Sequence, residues 1–315
     1  MTVTNPFSWH LSHHGYVIID GALATELQER GCDLNDPLWS AKVLIEQPEL
    51  ISTVHYDYFI AGADCAITAS YQASPLGFAK RGLSRSQSIA LIKRSVDLAK
   101  QAKIKYQQVT KDSRPLVIAG SVGPYGAYLA DGSEYTGKYN LSDIEMMDFH
   151  YDRIKALIDA GVDILACETM PSFAEIKVLV DIIAQFPDTP CWFSFALKDN
   201  HHLSDGTPLE LVTKLLETNQ QVIAIGVNCI ALESVTKSLA SLHQLTEKPL
   251  IVYPNSGEHY DATSKTWQIK DQQHTFCNQL LNWQKNGAKL IGGCSRTIPK
   301  DIKKISELLI NRKVI

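Results

Sequence analysis

The feature that most constrains the fold is a series of eight short apolar segments, each followed by a polar or small-residue turn and then by a segment of helical period. The eight segments are rich in β-branched residues. They are YVIID (16–20), CAITA (65–69), PLVIAGS (115–121), VDILACE (162–168), CWFSFAL (191–197), VIAIGVNC (222–229), PLIVYPN (249–255) and AKLIGGC (288–294). Near-continuous apolar runs of this length are typical of parallel strands that are buried on both faces of a sheet.

The segments between these runs have the pattern of amphipathic helices. In the segment 86–106, Ile89, Ile92, Val96 and Ala99 fall on one face of a helix, and lysines and arginines fall on the other. Eight repeats of strand and helix predict an α/β fold, the (β/α)8 or TIM barrel.

Length and composition favour one domain. The chain has 315 residues, of which 45% are hydrophobic and 20% charged, as in an ordinary globular protein. A prior of about 150 residues per domain suggests two domains, but α/β barrels commonly reach about 250 residues as one unit. Since no linker or low-complexity tract divides the chain, we predict a single domain over residues 1–315, with an N-terminal arm over residues 1–15.

Charge and cysteine content exclude several classes of function. The net charge of −4 leaves no basic excess to neutralise phosphates, so we expect no nucleic-acid partner. The N-terminus does not resemble a signal peptide, and no stretch approaches the roughly 20 apolar residues of a membrane span. Seven scattered cysteines do not form a disulfide framework in a chain of this size. The expected location is therefore the reducing cytoplasm, with no membrane partner.

Polar and thiol residues collect at the ends of the predicted strands, where the active site of a (β/α)8 barrel is built. Cys229 ends the sixth strand and Cys294 ends the eighth, so one strand separates them in a closed barrel. Two thiols that converge in this way are suited to zinc. The alternative is that each cysteine is a small buried residue of the core. The residues at the strand ends are Asp20, Thr68 to Tyr71, Ser121, Cys167, Glu168, Asn228, Cys229, Asn255, Ser256, Cys294 and Ser295.

Two carboxylates at strand ends have two interpretations each. Glu168 directly follows an apolar strand, where a charge is costly unless it meets a cation, so its partner is a substrate ammonium or a neighbouring Arg or Lys. Asp20 either belongs to the site or caps the helix predicted in DGALATELQ. The connection 123–150 is the longest, and long loops at this end of a barrel are usually functional. Five histidines are expected on the solvated surface: His10, His13, His14, His201 and His202.

Nine motifs occur in order along nearly the whole chain. They are DGALATELQERGCDLNDPLWSAKVL, ITASYQAS, AGSVGPYGAYLADGSEY, GVDILACETMP, FSFALKD, LSDGTPL, GVNCIALE, VYPNSGEHYDATSKTW and IGGCSRTIPKDI. With these motifs the chain resembles the homocysteine S-methyltransferases, and the YPNSGEHYDA and LADGSEY stretches look more like the branch that uses S-methylmethionine than like the betaine-dependent relatives. The resemblance implies a barrel with catalytic zinc that methylates the thiol of homocysteine and releases methionine.

The resemblance also implies a set of metal ligands, and this chain departs from it at one position. In the family, one Cys after the sixth strand and two adjacent Cys after the eighth hold the zinc. Cys229 and Cys294 match, but Ser295 stands where the third Cys is expected. Because zinc is borderline soft and a serine hydroxyl stays protonated at neutral pH, Ser295 is a poor ligand. We therefore expect weaker zinc binding and a less activated acceptor thiol.

By the same resemblance, Asp20 and Glu168 hold the ammonium of homocysteine, and Asn228, Asn255 and Ser256 line the same pocket. Three aromatic residues either face the cationic sulfonium or pack in the ordinary way: Trp39, Tyr71 and Tyr125.

The predicted reaction is direct attack of the homocysteine thiolate on the methyl carbon of S-methylmethionine, or of S-adenosylmethionine. Two alternatives stay open. One is a barrel enzyme that binds a phosphate at the Gly-Gly turn after the eighth strand. The other is a non-catalytic or impaired binder of homocysteine or methionine, because Ser295 replaces a ligand.

Overall fold

An eight-stranded parallel sheet forms the centre of the molecule, for which a computed structural model describes residues 3–36, 38–256, 258–261, 266–269 and 276–311. Its strands, in chain order, are β1 Val17–Ile18, β2 Cys65–Ile67, β3 Val117–Val122, β4 Ile164–Met170, β5 Cys191–Phe195, β6 Val222–Asn228, β7 Leu250–Tyr253 and β8 Ala288–Ile291. Neighbouring strands pair in parallel in the order β1-β8-β7-β6-β5-β4-β3-β2.

The two ends of this sheet meet, so the sheet closes into a barrel. A parallel bridge joins Ile19 to Cys65, the amide of Asp64 donates to the carbonyl of Ile18 at 2.7 Å, and the amide of Asp20 donates to the carbonyl of Cys65 at 3.0 Å. Every residue of β3, β4 and β5 is buried, as expected for strands covered on both faces. The predicted (β/α)8 barrel and its eight strands are confirmed.

Helices surround the barrel and connect its strands. They are α1 Ser8–His13, α2 Leu23–Glu29, α3 Ser40–Glu46, α4 Pro48–Ile60, α5 Pro75–Ala79, α6 Arg85–Thr110, α7 Tyr125–Leu129, α8 Asp143–Asp159, α9 Phe173–Ile183, α10 Leu209–Glu217, α11 Leu232–His243, α12 Phe276–Lys285 and α13 Pro299–Asn311. Capping boxes fix the starts of the two longest, with Ser84 and Gln87 at α6 and with Ser142 and Glu145 at α8. Among the described helices, none is long and apolar enough to span a membrane.

The loops carry structure that periodicity did not predict. Two antiparallel hairpins lie outside the barrel, Leu197–Asp199 with His202–Leu203, and Glu258–Asp261 with Thr266–Ile269. The connection after β3 is shorter than the predicted 123–150, because α8 already begins at Asp143. This connection contains α7 and a 3-10 turn, Ser133–Tyr135.

The N-terminal arm packs against the barrel at the ends where its strands begin. Phe7 is 0% exposed, joins the cluster of side chains inside the barrel, and lies with its ring centroid 6.3 Å from that of Trp192. His10 is also buried, with Nε2 3.5 Å from Oδ1 of Asp64. The expectation that His10 is solvated is therefore wrong: burial lowers its pKa to about 4, which keeps it neutral. His13 and His201 are exposed, as expected, whereas His14 and His202 are partly buried.

The burial of Phe7 predicts that the arm stabilises the barrel. Phe7→Ala should lower the free energy of unfolding by about 3–5 kcal/mol, the usual cost of removing a buried phenylalanine ring. Urea unfolding followed by circular dichroism measures this change. As a control, Ile144→Ala removes a side chain that is 74% exposed and should change the free energy by less than about 0.5 kcal/mol. Equal effects of the two substitutions would show that the arm adds nothing to the core.

Candidate active site

A cavity of about 490 Å³ opens at the ends of the strands, on the face opposite the arm. This volume is in the range of small-ligand sites. Six of the residues predicted for the site line this cavity: Asp20, Glu168, Asn228, Cys229, Cys294 and Ser295. Asn255 and Ser256, which were expected to line the same pocket, are not among the residues that line this cavity. The side-chain amide of Asn255 donates to the carbonyl of Cys229 at 3.3 Å, and the amide of Ser256 donates to the carbonyl of Ser295 at 3.0 Å.

Cys229 and Cys294 converge as the order of the strands predicts. Their Cα atoms are 5.6 Å apart, and a disulfide joins their sulfur atoms. This bond was not predicted, because the converging pair was assigned to zinc and the scattered cysteines indicated a reducing location. The other described cysteines are free: Cys32, Cys65, Cys167, Cys191 and Cys277. In the disulfide neither sulfur is a thiolate. Because zinc binds cysteine as the thiolate, metal binding requires reduction of this disulfide.

The donor atoms around this pair fit a zinc ion only in part. Two reduced cysteines supply two soft sulfur ligands, whereas a catalytic zinc usually has three protein ligands and one open position. Ser295 lines the cavity beside Cys294 and offers a hard hydroxyl. Within the described ranges, no group of three or more His, Cys, Asp or Glu side chains is arranged to hold a metal. A zinc ion here would have two thiolates and Ser295 or a solvent molecule in the third place.

The Gly-Gly turn after β8 is unsuited to binding a phosphate. A phosphate site in this turn would need free backbone amides. These amides are already engaged: those of Gly292, Gly293 and Cys294 donate to the carbonyls of Val252, Asp20 and Pro254, at 2.9, 3.0 and 2.8 Å. The turn therefore fixes the position of Cys294 and closes on β1, and the phosphate-binding alternative loses its structural basis.

Glu168 is a buried carboxylate that interacts with the charge of Arg153 but does not pair with it directly. Its residue is 7% exposed, and it accepts hydrogen bonds from the hydroxyls of Ser121 and Tyr253. In the part of the chain that the structure describes, no Arg or Lys forms an ion pair with Glu168. Burial raises the pKa of Glu168 to about 7, against a usual value near 4.5. The salt-bridge interpretation is therefore not supported, and a carboxylate without an ion-pair partner lines the cavity.

Asp20 is the second buried carboxylate of the cavity. Its Oδ2 accepts a hydrogen bond from the amide of Ile67 at 2.9 Å, and burial together with the charge of Glu168 holds its pKa well above the usual range. Helix α2 begins at Leu23 with Ala22 as its N-cap residue and has no side-chain cap. The helix-cap interpretation of Asp20 is therefore wrong, since its carboxylate ties β1 to β2 instead.

Asn228, at the end of β6, holds the backbone of Thr169 in β4, which lies on the other side of β5. Its Oδ1 accepts from the amide of Thr169 at 2.8 Å, and its Nδ2 donates to the hydroxyl of Thr169 at 2.7 Å and to Sγ of Cys229 at 3.5 Å. These bonds hold Thr169 at φ 59°, in a region that a β-branched residue rarely adopts. The side chain of Asn228 is thus largely occupied in shaping the cavity wall.

Backbone strain is concentrated around the cavity. Of the six described non-glycine residues with positive φ, five line it: Trp39, Ala130, Thr169, Cys229 and Arg296. Such conformations cost of order 1–3 kcal/mol each and cluster at functional sites. Cys229 itself is one of them, at φ 51°.

Several residues that line the cavity were not predicted from the sequence. Two of the three aromatic candidates, Trp39 and Tyr71, line the cavity, whereas Tyr125 packs against Phe149 with ring centroids 5.0 Å apart. The residues that were not predicted include Thr25, Gln28, Gln72, Glu134, Tyr135 and Arg296. The only signal for Glu134 and Tyr135 was their place in the LADGSEY motif.

Comparisons with known proteins agree with this architecture. The family model described as homocysteine S-methyltransferase matches residues 17–309. The chain is 56% identical over 306 residues to a homocysteine S-methyltransferase of Escherichia coli, covering 96% of this chain and 98% of that protein. It is 48% identical over 305 residues to homocysteine S-methyltransferase YbgG of Bacillus subtilis, covering 96% and 97%.

A solved structure is similar over the same span. The crystal structure of the homocysteine methyltransferase MmuM from E. coli in its metallated form superposes with a TM-score of 0.89 at 52% identity, covering 96% of this chain and 99% of that chain. The oxidised form of MmuM gives a TM-score of 0.90 at 53% identity, with the same coverage. Matches of this extent show that the chain belongs to the homocysteine S-methyltransferase family and is a methyltransferase.

Proposed function

We propose that this enzyme transfers a methyl group from S-methylmethionine to the thiol of L-homocysteine and forms two molecules of methionine. The observation that supports this proposal is that a close cysteine pair and two buried carboxylates without ion-pair partners among the described residues line one cavity. The cysteines suit a sulfur-binding metal site, and the carboxylates suit an ammonium group. Homocysteine carries both a thiol and an ammonium. S-adenosylmethionine, a second sulfonium, is the alternative donor.

In this proposal Asp20 and Glu168 bind the ammonium of homocysteine and so orient its thiol toward the cysteine pair. Both carboxylates are already fixed, Asp20 by the amide of Ile67 and Glu168 by the hydroxyl of Ser121, so they need no rearrangement when the amino acid binds. Asn228 keeps Thr169, the residue after Glu168, in its strained conformation. Asn255 and Ser256 form hydrogen bonds with the loops that carry the cysteines. The role of all five residues is to position the acceptor.

Reduced Cys229 and Cys294 are the residues that would hold zinc. When bound, zinc favours the thiolate form of the acceptor, which is needed because a free thiol has a pKa of about 8.5 and is mostly protonated at neutral pH. The acceptor thiolate attacks the methyl carbon, a new sulfur–carbon bond forms, and the bond from that carbon to the sulfonium sulfur breaks. The donor leaves as neutral methionine, and no covalent enzyme intermediate is needed.

The proposed activity has a direct test. Reduced, zinc-supplied protein should form methionine from homocysteine and S-methylmethionine, measured by chromatography. Cys229→Ser should lower the rate by at least about 100-fold, because one sulfur ligand is lost. Cys277→Ser, at a cysteine outside the cavity, is the matched control and should keep the rate. Wild-type protein that binds homocysteine but forms no methionine would instead favour the non-catalytic alternative.

Replacing Ser295 by cysteine should increase the affinity for zinc. Ser295→Cys adds a third thiolate, so zinc affinity, measured by competition with a chromophoric chelator, should rise by at least about 10-fold, and turnover should rise with it. Ser295→Ala distinguishes two roles of the hydroxyl: zinc affinity falls if Ser295 is a ligand and stays constant if solvent takes the third place. Unchanged zinc affinity and turnover in Ser295→Cys would contradict our assignment of this position.

The raised pKa of Glu168 predicts a pH-dependent affinity for amino acids. Below about pH 7 the carboxyl is neutral and must lose its proton before it can pair with an ammonium, so affinity should rise as the pH increases from 5.5 to 8. Calorimetric titration with methionine, which has no titrating thiol, measures this change. Glu168→Gln should bind more weakly at pH 8 and show a smaller pH dependence, with Asp20 as the remaining carboxylate of raised pKa in the site. An unaltered pH profile in this variant would exclude Glu168 as the titrating acceptor.

A further inference from the structure

The cavity contains more acidic groups than one acceptor amino acid needs. Four carboxylates line it: Asp20, Asp36, Glu134 and Glu168. Asp20 and Glu168 accept hydrogen bonds from neighbouring donors, and Asp36 forms an ion pair with Arg81. Glu134 differs from these three, because its Oε2 is buried and has no hydrogen-bond partner among the described residues. A buried acceptor without a donor is costly, so it indicates a site completed by a ligand.

A second acceptor without a donor belongs to a residue that lines the same cavity. Oε1 of Gln72 is buried and unpartnered within the described residues, while its Nε2 donates to the carbonyl of Ala127 in α7 at 2.8 Å. Helix α7 also packs directly on the turn that carries Glu134, since a Cβ atom placed on Gly126 would clash with the backbone of Ser133 and Glu134. One short helix therefore holds both acceptors at the cavity, and two acceptors without donors fit a group that only donates, such as an ammonium.

The backbone of the turn that carries Glu134 is held in place by hydrogen bonds at two points. At one end of its loop, the amide of Tyr125 donates to Oε1 of the fully buried Glu175 at 2.6 Å. Within the turn, Oδ1 of Asp131 accepts from the amide of Ser133 at 3.0 Å. Burial also raises the pKa of Glu134, an unfavourable state of the carboxylate that a bound cation would relieve. A preorganised acceptor of this kind binds without a large ordering cost.

Glu134 and the cysteine pair lie on different sides of the same cavity. Glu134 follows β3, whereas Cys229 and Cys294 follow β6 and β8, on the opposite side of the closed barrel. The rings of Trp39 and Tyr71 line the same cavity with centroids 6.4 Å apart, and aromatic faces attract a sulfonium cation. A sulfonium donor whose methyl group faces the cysteines thus has its other end toward the loop of Glu134.

We infer that Glu134, with the amide oxygen of Gln72, forms the subsite that binds the α-ammonium of the sulfonium donor. The inference rests on the proposed function and adds to it a basis for donor choice: the enzyme selects sulfonium donors that are amino acids. A sulfonium without an amino group, such as dimethylsulfonioacetate, gains nothing from Glu134. Asp20 and Glu168 stay assigned to the acceptor, so the two amino acids have separate ammonium sites.

The test is calorimetric titration of the reduced full-length protein with S-methylmethionine and, separately, with dimethylsulfonioacetate. Glu134→Gln keeps the shape of the side chain and removes its charge. It should weaken S-methylmethionine binding by about 10- to 100-fold, the range for a lost hydrogen bond to a charged group, and change dimethylsulfonioacetate binding by less than about twofold. Glu134→Asp, which keeps the charge and shortens the side chain, should lie between wild type and Glu134→Gln.

The matched control is Asp148→Asn, which removes the charge of an exposed carboxylate that does not line the cavity. It should leave the affinities for both sulfonium compounds within about twofold of wild type. Equal losses for both compounds in Glu134→Gln would mean that Glu134 is only structural, and unchanged S-methylmethionine binding would place the ammonium elsewhere. Wild-type protein that fails to bind S-methylmethionine at all would also overturn the inference.

Methionine formation, measured on the same samples, separates this inference from the proposed function. If wild-type protein turns over S-methylmethionine and Glu134→Gln has an unaltered KM for it, the subsite is wrong and the proposed function stands. If S-methylmethionine binding depends on Glu134 but no methionine forms, the subsite stands and the proposed function is wrong. In a supporting result, Glu134→Gln raises the KM for S-methylmethionine and leaves the KM for homocysteine within about twofold of wild type.

Discussion

The hydrogen bonds that close the sheet between β1 and β2 determine where every side chain of the cavity lies. They join the segment of Ile18 and Asp20 to that of Asp64 and Cys65. Because the eight strands are parallel, closure brings all of their carboxyl ends to one rim. Residues far apart in sequence, such as Cys229 and Cys294 with 65 residues between them, then have Cα atoms 5.6 Å apart. An open sheet would leave β1 and β2 at opposite edges and would separate Asp20 from Ile67.

A second constraint is electrostatic. The rim gathers four carboxylates, of which only Asp36 forms an ion pair among the described residues, with Arg81, while the charge of Arg153 also acts on Glu168. Burial raises the pKa values of Asp20, Glu134 and Glu168 because water is excluded around them. The ionised carboxylates are therefore least stable when the cavity is empty. The cavity favours ligands that carry positive charge. This is the same property that makes the site suitable for amino acids and for sulfonium donors.

Strain and sulfur chemistry meet at the same rim. Cys229 has positive φ, and the residue before it, Asn228, forms hydrogen bonds with Thr169. These tertiary contacts hold the backbone that carries the sulfur of Cys229. The pair Cys229 and Cys294 is close enough to form a disulfide, and its reduced form is the one that suits a metal. With Ser295 beside it, the pair supplies fewer soft ligands than a three-cysteine site, which makes metal binding more dependent on the state of these two thiols.

The barrel could be predicted from the sequence. Parallel strands that are buried on both faces are continuous apolar runs, and the chain has eight of them. The sequence also determined which polar side chains reach the rim, because strand ends follow directly from those runs, and motifs over the whole chain identified the family. Tertiary structure alone decided the rest. The burial of His10 and the disulfide depend on distances between segments that periodicity does not encode. The roles of Asp20 and Asn228 depend on partners in other strands, and the exposure of Glu134 to the cavity depends on how α7 packs on a loop. These are contacts between residues distant in sequence, and only the closed barrel fixes them.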